Sequence, residues 1–180
     1  MHRITESVFI ALPPEKVFAF LKNVEERLRL NPFYKIMSFE NLTEGDVGVG
    51  TRFRITLASD DRRAEYESEV LSFIENRKVV TKDTQGRLIL TLTLKETGSG
   101  TILTHDEEFV IPVDLLYPCP EREPDLPLWA RVLKGVFSLD RARFTDRDTD
   151  RRVEEIKGNL RKNLKVWLLT IKEHLESRER

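Results

Sequence analysis

Apolar and polar residues alternate with a period of two along most of the chain up to Ile111, and with the period of a helix after Thr149. Ile4 to Leu12 is rich in β-branched and apolar side chains and stops at Pro13-Pro14, which predicts a strand followed by a break. Pro14 suits the first turn of a helix, where its missing N–H is harmless. Val17, Phe20, Leu21 and Val24 then recur at helical spacing. A second short helix is expected over Glu25 to Leu30, ended by Asn31-Pro32.

Strands are expected next over Lys35 to Leu42, Thr51 to Ser59, Ala64 to Ile74, Lys78 to Lys82, Arg87 to Glu96 and Thr101 to Ile111. Glu44-Gly45-Asp46 and Asp60-Asp61 mark turns, and Gly98-Ser99-Gly100 marks a hairpin. In the third strand Phe53, Ile55 and Leu57 face one way, and Arg52, Arg54 and Thr56 the other. The fourth sets Glu65, Glu67 and Glu69 against Tyr66, Ser68 and Val70. A basic row and an acidic row of this kind belong side by side on the wet face of one sheet.

The C-terminal segment carries the strongest local pattern. Val153, Ile156, Leu160, Leu164, Trp167, Leu168, Ile171 and Leu175 fall on one stripe roughly 120° wide. A helix from Thr149 to Ser177 would be about 43 Å long at ~1.5 Å per residue, and only the sheet is broad enough to cover its apolar face. Gly158 falls off that stripe and is read as permitting a bend or a close contact on the outer face. Between sheet and helix, residues 112–148 break both patterns. Pro118, Pro120, Pro124 and Pro127 crowd the start, and Leu126, Trp129, Val132, Leu133, Val136 and Phe137 then form a helical stripe.

Composition narrows the function. The chain has 180 residues, 39% of them hydrophobic, which suits one domain with a full core over 1–180 and an inserted loop-helix segment at 112–148. With 30 basic and 31 acidic residues the net charge is -1, so no cationic excess points to nucleic acid. One cysteine, Cys119, excludes an internal disulfide and is read as inert between its prolines. His2, His105 and His174 have no metal-ligand spacing, and no phosphate-cradling glycine loop is present, so neither metal nor cofactor is expected. The N-terminus lacks a signal-peptide pattern and no apolar run could span a bilayer, which reads as a cytoplasmic chain with no transmembrane segment.

The order of strand, two short helices, about six further antiparallel strands and a long amphipathic helix resembles the SRPBCC superfamily. That superfamily includes START-like lipid-binding domains, polyketide cyclases and the birch-pollen-allergen family. The opening SVFIALPPEKVFAFLKNVEERLRLNPF looks like its first strand and paired helices. The resemblance implies an α+β helix-grip fold: a curved antiparallel sheet of six to seven strands around the C-terminal helix. It also implies a cavity for a hydrophobic or amphipathic ligand between them. It transfers no catalytic residue, because the superfamily shares no catalytic motif.

Strand alternation and the helical stripe together give the expected lining: Phe53, Ile55, Leu57, Leu90, Leu92, Phe109, Leu164 and Trp167. If Glu96 pairs with Thr101 across the hairpin, Leu92 faces His105 and Leu90 faces Glu107, which puts both polar residues on the leucine face. There they could orient a ligand or exchange protons; a satisfied structural pair, or a register shifted by one residue, is the plainer alternative. Tyr66 could add a hydroxyl, or pack its ring and bond backbone or water. Three functions stay open: binding or transport of a lipid-like, isoprenoid or aromatic molecule; a cyclase, aromatase or dehydratase using His105, Glu107 and Tyr66; or a co-chaperone-like module with a protein partner at 112–148. The first is preferred.

Overall fold

The period-two segments assemble into one seven-stranded antiparallel sheet in the order β1-β7-β6-β5-β4-β3-β2. A computed structural model describes residues 1–59, 62–111 and 146–178. The strands are β1 (His2–Ile10), β2 (Lys35–Asn41), β3 (Arg52–Ser59), β4 (Arg62–Ile74), β5 (Lys78–Asp83), β6 (Leu88–Thr97) and β7 (Gly100–Phe109). Helices α1 (Pro14–Lys22) and α2 (Val24–Arg29) follow β1, and α3 (Asp146–Ser177) closes the chain. This is the helix-grip arrangement. The helical stripe expected within 112–148 and the partner surface suggested there lie outside the described residues, apart from the start of α3.

Two β-bulges bend the sheet. The β2–β3 register shifts between Ile36 and Ser38, and the β4–β5 register between Val70 and Ser72. The extra residues, Met37 and Leu71, are thrown outward and exposed. Each bulge breaks the ladder locally and increases twist, so the long strands curl toward the helices. On the convex face the predicted charge rows meet: Arg54 bonds Glu67 at 2.9 Å and Glu40 at 3.1 Å. The Arg54 hydrogen bond holds the Glu67 carboxyl below its usual range. These pairs are solvated and add little stability.

Pro14 opens α1 and Asn23 separates the two short helices. The Asn23 side chain accepts from the Glu26 N–H at 3.2 Å and donates back to the Glu26 carboxylate at 2.9 Å, so α2 is capped at its first turn. Val17, Phe18, Phe20 and Leu21 of α1 enter the core. So do Ile156, Leu164, Trp167, Leu168, Ile171 and Leu175 of α3, as the stripe predicts.

Helix α3 runs beside edge strand β1 and shields its free polar groups. Lys172 Nζ donates to the Phe9 carbonyl at 2.9 Å, and the Ala11 N–H donates to Glu176 at 2.9 Å. At its end Arg178 donates to Glu26 Oε1 at 2.7 Å, which ties α3 to α2. Gly100 sits against the end of β1, where a Cβ would lie 2.3 Å from the Ile10 carbonyl oxygen. Only glycine allows this approach. At Gly158 a Cβ would meet nothing within 4 Å among the described residues, so of the two roles expected for it the close outer contact is not seen there.

Candidate functional site: a polar-ended cavity beneath α2

The register expected for the β6–β7 hairpin is the one observed. Glu96 pairs with Thr101, Leu92 with His105, and Leu90 with Glu107. His105 is therefore turned into the core, 1% exposed, with its ring edge-on to Trp167 at 5.3 Å. Its Nε2 lies 3.0 Å from Glu107 Oε1, yet off the line an N–H would need, so it has no hydrogen-bond partner. The neighbour between them in sequence, Asp106, faces out and accepts from Arg3 Nε at 2.7 Å and Thr5 Oγ1 at 2.9 Å.

A cavity of about 40 Å³ lies on the concave face, between α2 and strands β3 to β6. Phe53 and Ile55 of β3 and Leu88 and Leu90 of β6 form its apolar floor, and Val24 and Leu28 of α2 its roof. Ser68 of β4 and Thr81 of β5 are buried and add hydroxyls, with Tyr66 beside them. Leu88, Leu90, Tyr66 and Asp83 are half-buried, so the cavity approaches solvent on the β5–β6 side. Asp83 turns its Oδ1 away to accept from the Arg87 and Leu88 N–H groups at 2.7 and 2.8 Å.

Of the expected lining, the structure places Phe53, Ile55, Tyr66 and Leu90 at this cavity. Leu57, Leu92, Phe109, Leu164 and Trp167 are buried in the surrounding core instead. His105 and Glu107 share the concave side but are not among the lining residues. The physical reason is the height of the core at that end. The indole of Trp167 reaches past His105 and donates from Nε1 to the Arg27 carbonyl at 3.2 Å, filling the space between α3 and the hairpin.

Val24, Arg27, Leu28, Ser68, Thr81, Asp83 and Leu88 line the cavity without having been expected there, and Arg27 changes its chemistry most. Arg27 is 3% exposed. Its Nη1 donates to the Leu21 carbonyl at 3.2 Å, and its Nε has no partner among the described residues. A signal was present: Val24, Arg27 and Leu28 stand at i, i+3 and i+4, so an inward face for Val24 and Leu28 carries Arg27 inward too. Tyr34, on the loop after α2, belongs to the same electrostatic group. Burial pulls the Arg27 guanidinium well down from its ordinary value, to about 10, with the fields of Tyr34 and Tyr66 pushing back. Burial also raises the Tyr66 phenol from 10.0 to about 12, against the pull of Arg27 and with help from Glu107 and Asp83. The Tyr34 phenol is held well above its ordinary value, first by burial and then by Tyr66 and Glu107.

This arrangement gives a spectroscopic expectation. In a 295 nm titration, wild type minus Tyr66→Phe should show a phenolate step near pH 12. A step at the free-phenol value of about 10 would place the hydroxyl in water instead.

The sequence matches the model of the family described as polyketide cyclase / dehydrase and lipid transport over residues 1–147. Solved structures repeat the fold. TTHA0849 from Thermus thermophilus superposes with a TM-score of 0.61 at 14% identity, over 99% of this chain and 100% of that one. The Zhui aromatase/cyclase from a Streptomyces species gives 0.61 at 15%, over 99% and 96%. Ara h 8.0201 gives 0.57 at 14%, over 98% of each. Among curated proteins none matches the sequence. Fold and cavity together define a helix-grip protein. The chain belongs to the polyketide cyclase/dehydrase and lipid transport family. Among the described residues no helix is long and apolar enough to cross a membrane.

Proposed function

We propose that the protein binds a hydrophobic small molecule, lipid-like, isoprenoid or aromatic, in the space between α2 and the concave face of the sheet. The observation that carries this is the cavity itself. It has an apolar floor and roof, a few inward hydroxyls and one inward charge, which is the usual make-up of a small-molecule site. At about 40 Å³ it holds two or three waters in this conformation. A drug-sized ligand needs ~300 Å³ or more, so binding requires α2 and the half-exposed β5–β6 side to move apart. The short α2 is suited to that. Among the described residues its polar ties are the Asn23 cap, the Arg27 bond to the Leu21 carbonyl, the Trp167 bond to the Arg27 carbonyl and the Glu26 links to α3.

The geometry supports binding over acid–base turnover. Tyr66 touches the cavity, while His105 packs behind Trp167 and neither it nor Glu107 is among the lining residues. A cyclase or dehydratase built on His105, Glu107 and Tyr66 would need the three to converge on the ligand space.

The test is native mass spectrometry of the purified protein with solvent extraction of any adduct, followed by titration of the delipidated protein with 1-aminoanthracene. A non-polar adduct or saturable probe binding is expected. Ser68→Leu, which places apolar bulk in the cavity, should weaken the probe by about tenfold or more. Absence of any adduct together with no probe binding would overturn the reading.

A further inference from the structure

Arg27 sets a problem that the binding reading alone does not solve. A guanidinium carries five donors and remains cationic at neutral pH. This one is 3% exposed, makes a single protein hydrogen bond to the Leu21 carbonyl, and leaves Nε unpartnered. Among the described residues it has no ion pair with any carboxylate, in a chain whose surface arginines are paired repeatedly. A buried cation without an anion is among the least favourable arrangements a core can hold. Asp83 lines the same cavity, but its Oδ1 already accepts from the backbone N–H groups of Arg87 and Leu88. The aromatic neighbours Tyr34 and Tyr66 are neutral phenols at pH 7 and cannot balance the charge.

We infer that Arg27 is the counter-ion for a carboxylate-bearing amphipathic ligand, whose acid head docks against α2 and whose apolar remainder lies along Phe53, Ile55, Leu88 and Leu90. The inference rests on the binding reading and names the ligand class for that site. The free Nε edge of the guanidinium offers the geometry a carboxylate takes. Ser68, Thr81 and Tyr66 supply further hydroxyl donors from the sheet side of the cavity. Asp83, at the end of β5 on the half-exposed side, repels an acid head from the mouth and so favours the head-inward orientation. In the empty state the charge persists because α2 is short and the Leu21 carbonyl, orphaned at the end of α1, gains a donor from it.

Matched pairs of probes test the charge separately from the apolar part. Isothermal titration of the delipidated protein at pH 7.5 compares 2-naphthylacetate with its methyl ester, and decanoate with decan-1-ol. The acid of each pair should bind roughly 30-fold or more tightly than its neutral partner, on the scale of a desolvated charge-assisted pair. Arg27→Met should bring acid and neutral members to within about threefold, and Arg27→Lys, which keeps the charge but not the fork, should retain part of the preference. Circular dichroism confirms that each variant is folded; if Arg27→Met does not fold, Arg27→Lys and Arg27→Gln carry the comparison. Neutral members binding as well as acids to wild type, or a preference that survives in both Arg27→Met and Arg27→Gln, would overturn the inference and leave the cavity-binding reading standing. Failure of every probe, charged and neutral, to bind wild type would remove both.

Discussion

Trp167→Ala should cost the fold about 3–5 kcal/mol, the range for deleting a buried aromatic side chain. The indole is 5% exposed and does three things at once. It fills the space between α3 and the β6–β7 hairpin, gives the buried His105 ring an edge-on neighbour at 5.3 Å, and donates to the Arg27 carbonyl at 3.2 Å. Alanine leaves a void beside a polar imidazole and strips a donor from the last turn of α2. At ~2–4 °C per kcal/mol for a chain of this size, the midpoint should drop by roughly 6–20 °C. Trp167→Phe keeps most of the volume and loses the hydrogen bond, so it should cost about 1–2 kcal/mol. Urea unfolding of both variants checks the pair. Equal small losses would mean that the ring is peripheral to the core.

The strand-and-helix plan was legible because both periodicities depend on local sequence alone. The stripe of α3 and the inward rows of β3 and β4 follow directly from side-chain direction. Even the β6–β7 register could be read, since a Gly98–Gly100 hairpin leaves few pairings that bury Leu88, Leu90, Leu92 and Leu94 together. The bulges at Met37 and Leu71 could not be read, because nothing in those strands marks which residue will be left unpaired. They matter, since they set how far the sheet curls toward the helices.

The site was only half legible for a related reason. Alternation tells which face a residue is on, but not whether that part of the face meets a cavity or another side chain. Phe53, Ile55 and Leu90 meet open space, whereas Leu57, Leu92 and Phe109 on the same rows meet packed neighbours. Trp167 decides the boundary, and its reach depends on how α3 docks. Thr81 was within reach of the pattern, as it follows Val79 on the inward face of β5. Arg27 was hidden by habit: a charge in a short helix with Glu25, Glu26 and Arg29 reads as one more solvated residue.

Arg27→Met should stabilise the empty protein. Pulling the guanidinium down to about 10 corresponds to roughly 3 kcal/mol weighing against the fold at neutral pH. A methionine of similar length removes that handicap and fits the apolar roof beside Val24 and Leu28. The loss on the other side is one charged hydrogen bond to the Leu21 carbonyl, worth about 1.5–3 kcal/mol when broken. That carbonyl lies at the end of α1 and can find water once α2 loosens, so the lower figure applies and a net gain of about 1.5 kcal/mol is expected. The gain has a pH signature. A base whose folded value lies below its unfolded one opposes folding wherever it is charged in both states, below pH 10 here, and the opposition fades as pH rises above 10 toward the unfolded value. The advantage of Arg27→Met over wild type should therefore be flat from pH 6 to 9 and shrink above pH 10. Tyr66 acts in the other direction over the same window: its raised phenol contributes stability fully present below pH 10, lost as pH climbs through about 12. Because Tyr66 is present in both proteins, the difference between them isolates the arginine. Chemical denaturation at pH 7 and pH 11 gives both numbers. A variant less stable than wild type at pH 7 would show that Arg27 is chiefly a clasp between α1 and α2, held for the fold and not for a ligand.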